Sequence, residues 1–121
     1  MLSLALNLPG PAALMRLQAL GATCSKVEPP SGDPMALYKR SAYDNLHQGI
    51  KVFGADLRTE AGQKAVHKEL ARADVLLTSF RPSALRKLGM DWALLRKAYP
   101  RLSQIDIVGS RGDRAEEPGH D

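Results

Sequence analysis

Three observations predict an α/β fold for this chain, a Rossmann-like parallel sheet with crossover helices. Five short segments read as strands along the sequence: "LSLAL", "TCSKVE", "IKVFGADL", "DVLLTSF" and "LSQIDIV". Between them lie segments with apolar residues at helical spacing, and that alternation is the signature of βαβ units. The fourth run is apolar without alternation, as in parallel strands buried on both faces. At 121 residues the chain can bury one hydrophobic core.

Each element has a local reason. "LSLAL" forms the first strand. Gly10 breaks the chain, Pro11 sits in the first turn of a helix, and Gly21 stops it. Leu14, Leu17 and Gly21 share one face of that helix, with Ala13 and Leu20 beside them. "TCSKVE" is the second strand, and "PPSGDP" is a loop made of turn residues. Residues 35–48 carry no pattern that decides between irregular chain and weak helix. "IKVFGADL" is the third strand. Thr59 caps a helix reaching about Arg72, with Val66, Leu70 and Ala73 at i, i+4 and i+7. After the fourth strand, Pro82 opens a short helix that ends at Gly89. Asp91 caps another, which Pro100 terminates. "LSQIDIV" is the fifth strand, and "GSRGDRAEEPG" leads to His120.

Composition narrows the function. The chain is 44% hydrophobic and 25% charged, and no apolar run approaches the roughly 20 residues of a membrane span. The opening "MLSLALNLPGPAALM" lacks a basic start and is broken by "LPGP", so it reads as folded chain and not as a targeting signal. The single Cys24 excludes an internal disulfide and leaves no ligand set for structural zinc; no metal site is expected, and a reducing, cytoplasmic setting fits. The net charge of +4 suggests an anionic ligand. The basic residues form no run, however, and two Phe, three Tyr and one Trp offer little base stacking. Neither a nucleic-acid nor a membrane partner is expected.

Parallel α/β sheets bind ligands at the carboxyl ends of their strands. The loops leaving those ends are "NLPGP", "EPPSGDP", "DLRT", "SFRPS" and "GSRGD". "LPGP" has one glycine where a dinucleotide fingerprint needs three, and no P-loop, GxSxG, HExxH or CxxC occurs. Arg58, Arg81 and Lys87 taken singly are ordinary surface charges. Converging on one sheet edge, they would suit a ligand carrying several phosphates. The final "GHD" sets a proton-transfer residue beside a carboxylate, which is either an acidic tail or part of a site.

The stretches "LPGPAALMRLQALGATCSKVEPPSGDP" and "ADLRTEAGQKAVHKELARADVLLTSFRPSALRKLGMDWALLRKAYPRL", with the closing "PGHD", resemble the N-terminal part of family III CoA-transferases of the CaiB/BaiF type. That superfamily includes formyl-CoA and carnitine CoA-transferases and α-methylacyl-CoA racemases. The resemblance implies coenzyme A or acyl-CoA as substrate, with no tightly bound cofactor. It places CoA contacts on Leu6, Asn7, Leu8, Pro9, Ala55, Arg58, Ser79, Phe80, Lys87 and Leu88. Lys87 stands where the family usually has Arg, which keeps the charge but not the bidentate fork. Pro29 stands where an adenine-stacking Arg or Lys often follows.

The resemblance also implies catalytic roles for His120 and Asp121. In racemase-like members, the histidine is one of two bases flanking the thioester α-carbon. In transferase-like members, the Asp121 position is an acidic neighbour of a nucleophilic aspartate. "GHD" tilts the reading toward a racemase. The family's decisive aspartate falls beyond Asp121. Residues 1–121 are therefore expected to be a truncated CoA-binding large domain, inactive alone, from an enzyme that forms homodimers. A non-catalytic CoA- or nucleotide-binding module, or an anion-binding fragment without activity, is the alternative.

Overall fold

A computed structural model describes residues 1–110 and Arg114. Five parallel strands form one sheet: β1 (Leu2–Ser3), β2 (Ser25–Glu28), β3 (Lys51–Gly54), β4 (Val75–Thr78) and β5 (Ser103–Asp106). Their order is β3-β2-β1-β4-β5. The helices are α1 (Pro9–Ala19), α2 (Pro34–Tyr38), α3 (Arg40–Leu46), α4 (Glu60–Leu70), α5 (Pro82–Lys87) and α6 (Trp92–Ala98). The α/β expectation holds. With β1 central, the strand order reverses between β1 and β4, and that switch point is where such sheets open a crevice.

The three central strands β2, β1 and β4 are buried on both sides, while the edge strands β3 and β5 stay largely exposed. Leu2, Leu4, Val27 and Leu76 join Val66 and Leu70 of α4, Leu85 of α5 and Leu95 of α6 in the main core. Because successive strand residues point to opposite faces, Lys26 beside Val27 is directed to the other side. There Leu14 of α1 packs with Cys24 and Ile50, and Met35, Tyr43 and Leu46 bind α2 to α3.

Four expectations need correction. The first strand is two residues long, not five. Leu4 N–H still reaches Leu77 O at 2.8 Å, but Ala5 N–H turns to Ser3 Oγ and Leu6 N–H to Ser79 Oγ. Side chains satisfy the backbone there in place of a ladder. Second, Gly10 does not break the chain but lies inside the first turn of α1. It is needed for close approach, since a Cβ at this position would lie 2.1 Å from Ala5 Cβ. Third, Leu20 is exposed and not part of the α1 face. Fourth, Asp91 holds the N-cap position of α6, but its side chain makes no capping bond. Thr59, by contrast, caps α4 by accepting from Gly62 N–H. Residues 35–48 resolve into two helices, α2 capped by Asp33 through Met35 N–H.

Candidate ligand site at the carboxyl edge

The ends of β1 to β4 frame a cleft of about 450 Å³. Its walls are mostly apolar, built from Leu4 after β1, Val27 and Pro29 of the β2 end, Leu57 after β3, and Phe80 after β4. Pro29, whose place in the sequence left an adenine contact in question, supplies an apolar surface. Asp56 and Arg58 form the polar rim. Arg58 Nε lies 3.1 Å from Asp56 Oδ1 and Nη2 3.3 Å from Oδ2. The guanidinium's hydrogen bonds hold the Asp56 carboxyl below its ordinary range. The pair is open to water, so the Arg58 head can still turn to an anion.

The residues assigned to CoA by resemblance divide into three groups. Ala55, Arg58, Phe80 and Leu88 line this cleft. Leu6 and Ser79 meet beside it, Leu6 N–H donating to Ser79 Oγ at 3.4 Å. Asn7, Leu8 and Pro9 form the exposed turn into α1. Lys87 ends α5, exposed and outside the cleft lining. Two of the first three positions of α1 are proline, which removes two of the N–H donors a phosphate would use at a helix start. His120 and Asp121 lie outside the described residues.

On the face of β2 opposite Val27 lies a buried polar network with no counterpart in the sequence. Lys26 is fully buried. Its Nζ lies 2.6 Å from Asp33 Oδ2, 2.8 Å from His47 Nε2 and 3.1 Å from Glu28 Oε2. Three donors thus meet three acceptors. Tyr43 Oη donates to Glu28 Oε2 at 2.6 Å. His47 Nδ1 lies 2.6 Å from Tyr43 O; a carbonyl only accepts, so Nδ1 carries the proton and Nε2 faces Lys26 as acceptor. Glu28, Asp33 and His47 have the mutual spacing of a metal-ligand set. The Lys26 ammonium occupies that centre as a built-in cation, so a metal ion would have to displace it.

Burial alone would raise the Asp33 carboxyl, but hydrogen bonds from Lys26 and from the N–H groups of Met35 and Asn7 outweigh it and hold it low. Burial pushes His47 below its ordinary 6.5, and the Lys26 charge adds to this against the bond to Tyr43 O. Burial and the bond to Glu28 raise the Tyr43 hydroxyl far above its usual value. For His47, the unfolded chain takes up protons more readily than the folded one as pH falls. Its contribution is therefore complete above about pH 6.5 and is lost as pH drops toward the folded value. Asp33 follows the same sign, losing its contribution below its ordinary 3.8. Thermal melts should be flat from about pH 8 to 7 and fall in two stages below, with His47→Gln removing the upper stage. An unchanged upper stage in that variant would mean another group causes it.

Among the described residues, no helix is long and apolar enough to cross a membrane. The family model for CoA-transferase family III matches residues 1–121. Cinnamoyl-CoA:phenyllactate CoA-transferase of Clostridium sporogenes is 35% identical over 114 residues, covering 84% of this chain and 28% of that protein. Succinyl-CoA–D-citramalate CoA-transferase of Chloroflexus aurantiacus is 35% identical over 116 residues, covering 89% and 29%. The crystal structure of a CaiB/BaiF family protein from Brucella suis superimposes with a TM-score of 0.87 at 33% identity, covering 99% of this chain and 35% of that one. The chain thus spans less than a third of the length of these two curated relatives.

Proposed function

The chain belongs to CoA-transferase family III, and from that premise we propose that it forms the N-terminal, CoA-binding part of an enzyme moving coenzyme A from an acyl-CoA to a carboxylate. One observation carries the reading. Four of the residues that the resemblance assigns to CoA, Ala55, Arg58, Phe80 and Leu88, line a single cleft at the carboxyl edge. The apolar walls suit the adenine ring or the pantetheine arm, while Arg58 on the rim suits a phosphate. Within that lining the side chains with a nucleophilic oxygen are Ser31 and Asp56, and Asp56 is engaged by Arg58. The described residues therefore supply recognition. The acyl-transfer step falls to a carboxylate further along a longer, homodimeric enzyme, with Asp121 as its acidic neighbour. That carboxylate attacks the thioester carbonyl, CoA thiolate leaves, and a mixed anhydride remains.

The relatives are named as CoA-transferases, which favours transfer over racemisation. A racemase would exchange the α-proton. In a protein of the relatives' length, deuterium entering a 2-methylacyl-CoA in heavy water, and lost on His120→Ala, would overturn the transferase reading. The binding half is tested on this chain by titration calorimetry with free CoA. Binding is expected to be weak and to weaken as salt rises, since an exposed cation is screened. Arg58→Ala should reduce affinity by roughly a few-fold at low salt and have little effect at high salt. Equal affinity before and after the substitution would remove Arg58 from the site.

A further inference from the structure

The turn Leu6–Pro9 leaves β1 at the switch point, and its geometry is unusual. Asn7 has φ 65, the one non-glycine residue with positive φ among those described. Asparagine tolerates the left-handed region better than most residues, but something must hold it there. Asp33, the N-cap of α2 after the neighbouring strand β2, does so. Asn7 N–H is shared between Asp33 Oδ1 at 3.0 Å and Oδ2 at 3.2 Å. Tyr38 Oη donates to Asn7 Oδ1 at 3.0 Å. The same carboxylate caps α2 through Met35 N–H and binds Lys26. Filling space on β2 would not require a lysine, since an apolar residue of like volume packs a core as well or better. A buried ammonium does something an apolar side chain cannot. It keeps Asp33 ionised, with its oxygens accepting from Asn7 N–H in the turn after β1 and from Met35 N–H in the first turn of α2.

We propose that Lys26 and Asp33 are positioning residues, a buried pair that sets the left-handed turn at Asn7 and so fixes the Leu6–Pro9 turn against the loop between β2 and α2. The identity of the ligand served rests on the CoA reading above; the setting of the turn does not. His47 closes the network from α3. The groups facing it are Lys26 and Glu28 on β2, Asp33 at the start of α2, and Tyr43 on its own helix, whose ring also carries Arg40 at 5.1 Å. Protonating His47 removes the acceptor for Lys26 and sets two cations against each other. The Asn7 turn should then respond to acid although it lies on another element.

The test uses Asp33→Asn in the full chain, which keeps the size and the capping oxygen but removes the charge. Amide hydrogen exchange by nuclear magnetic resonance should show Asn7 exchanging at least about tenfold faster, with Val66 and Leu70 of α4 unchanged as references. Calorimetry should show CoA affinity reduced by about fivefold or more, because a displaced turn loses preorganisation. Unchanged Asn7 exchange in a folded variant overturns the proposal. Faster Asn7 exchange with undiminished CoA affinity overturns its role at the ligand edge. If the unmodified chain binds no CoA, the CoA reading fails, and Asn7 exchange still decides whether the pair sets the turn. If the variant does not fold, the unmodified chain decides: the Asn7 amide resonance should shift with the titration of the His47 ring. An Asn7 resonance that stays still while His47 titrates overturns the proposal.

Discussion

Replacing Lys26 by methionine should destabilise the fold by about 3–5 kcal/mol, the range for removing one partner of a buried ion pair. Both side chains of the Lys26–Asp33 pair are fully buried, so solvent cannot screen the charge left behind. Methionine roughly preserves volume, and the loss therefore measures stranded carboxylates, not a cavity. Asp33 would keep its two backbone donors but lose its counter-ion, and Glu28 would lose its own while keeping Tyr43 Oη. Set against a total of about 5–15 kcal/mol for a domain, this is a large fraction. Combining it with Asp33→Asn should recover part of the loss, since one stranded charge is then neutral. Urea unfolding followed by circular dichroism measures both variants. A loss under about 1 kcal/mol would mean that water reaches the network and solvates the carboxylates.

Gly62→Ala is expected to cost about 3 kcal/mol or more, as overpacking against backbone does. Helix propensity argues the other way, favouring alanine inside α4 by about 1 kcal/mol. Geometry decides the sign. A Cβ at Gly62 would lie 1.8 Å from Asp56 O and 2.5 Å from Asp56 C. Those are backbone atoms, and they cannot rotate aside. Asp56 O is also fixed by Thr59, whose N–H and hydroxyl both donate to it. Relief would have to come from moving the "ADLR" turn, which carries Ala55 and Arg58 of the cleft. The variant should therefore melt earlier, and on the function proposed above it should bind CoA more weakly. A melting temperature at or above that of the unmodified chain would show that the start of α4 can shift without loss.

Some of the fold and part of the site were legible in the sequence. The apolar run "DVLLTSF" announces β4 because strands buried on both faces tolerate few polar residues. Thr59, Pro82 and Gly21 mark helix limits because each acts on its own backbone within a few residues. Helices α2 and α3 were not legible. They are five and seven residues long, too short for periodicity to show or for propensity to sustain. Met35, Tyr43 and Leu46 hold them by packing. The loops at the sheet edge could be listed from strand order, but which of their side chains share a cleft could not. Arg58 and Lys87 look alike in sequence, and only Arg58 lines it.

By itself the sequence determined the parallel α/β class, the strand succession and the family, since these rest on patterns of burial and on residues close together along the chain. Tertiary structure alone decided the fate of Lys26. Within "TCSKVE" a lysine reads as a solvated charge, because lysine is almost never fully buried without a partner. Its partners Asp33 and His47 lie 7 and 21 residues away, at separations no local pattern encodes. Folding brings them to 2.6 and 2.8 Å from its ammonium. Desolvation then makes the set all-or-none, since each charge is tolerable in the interior only while the others are present.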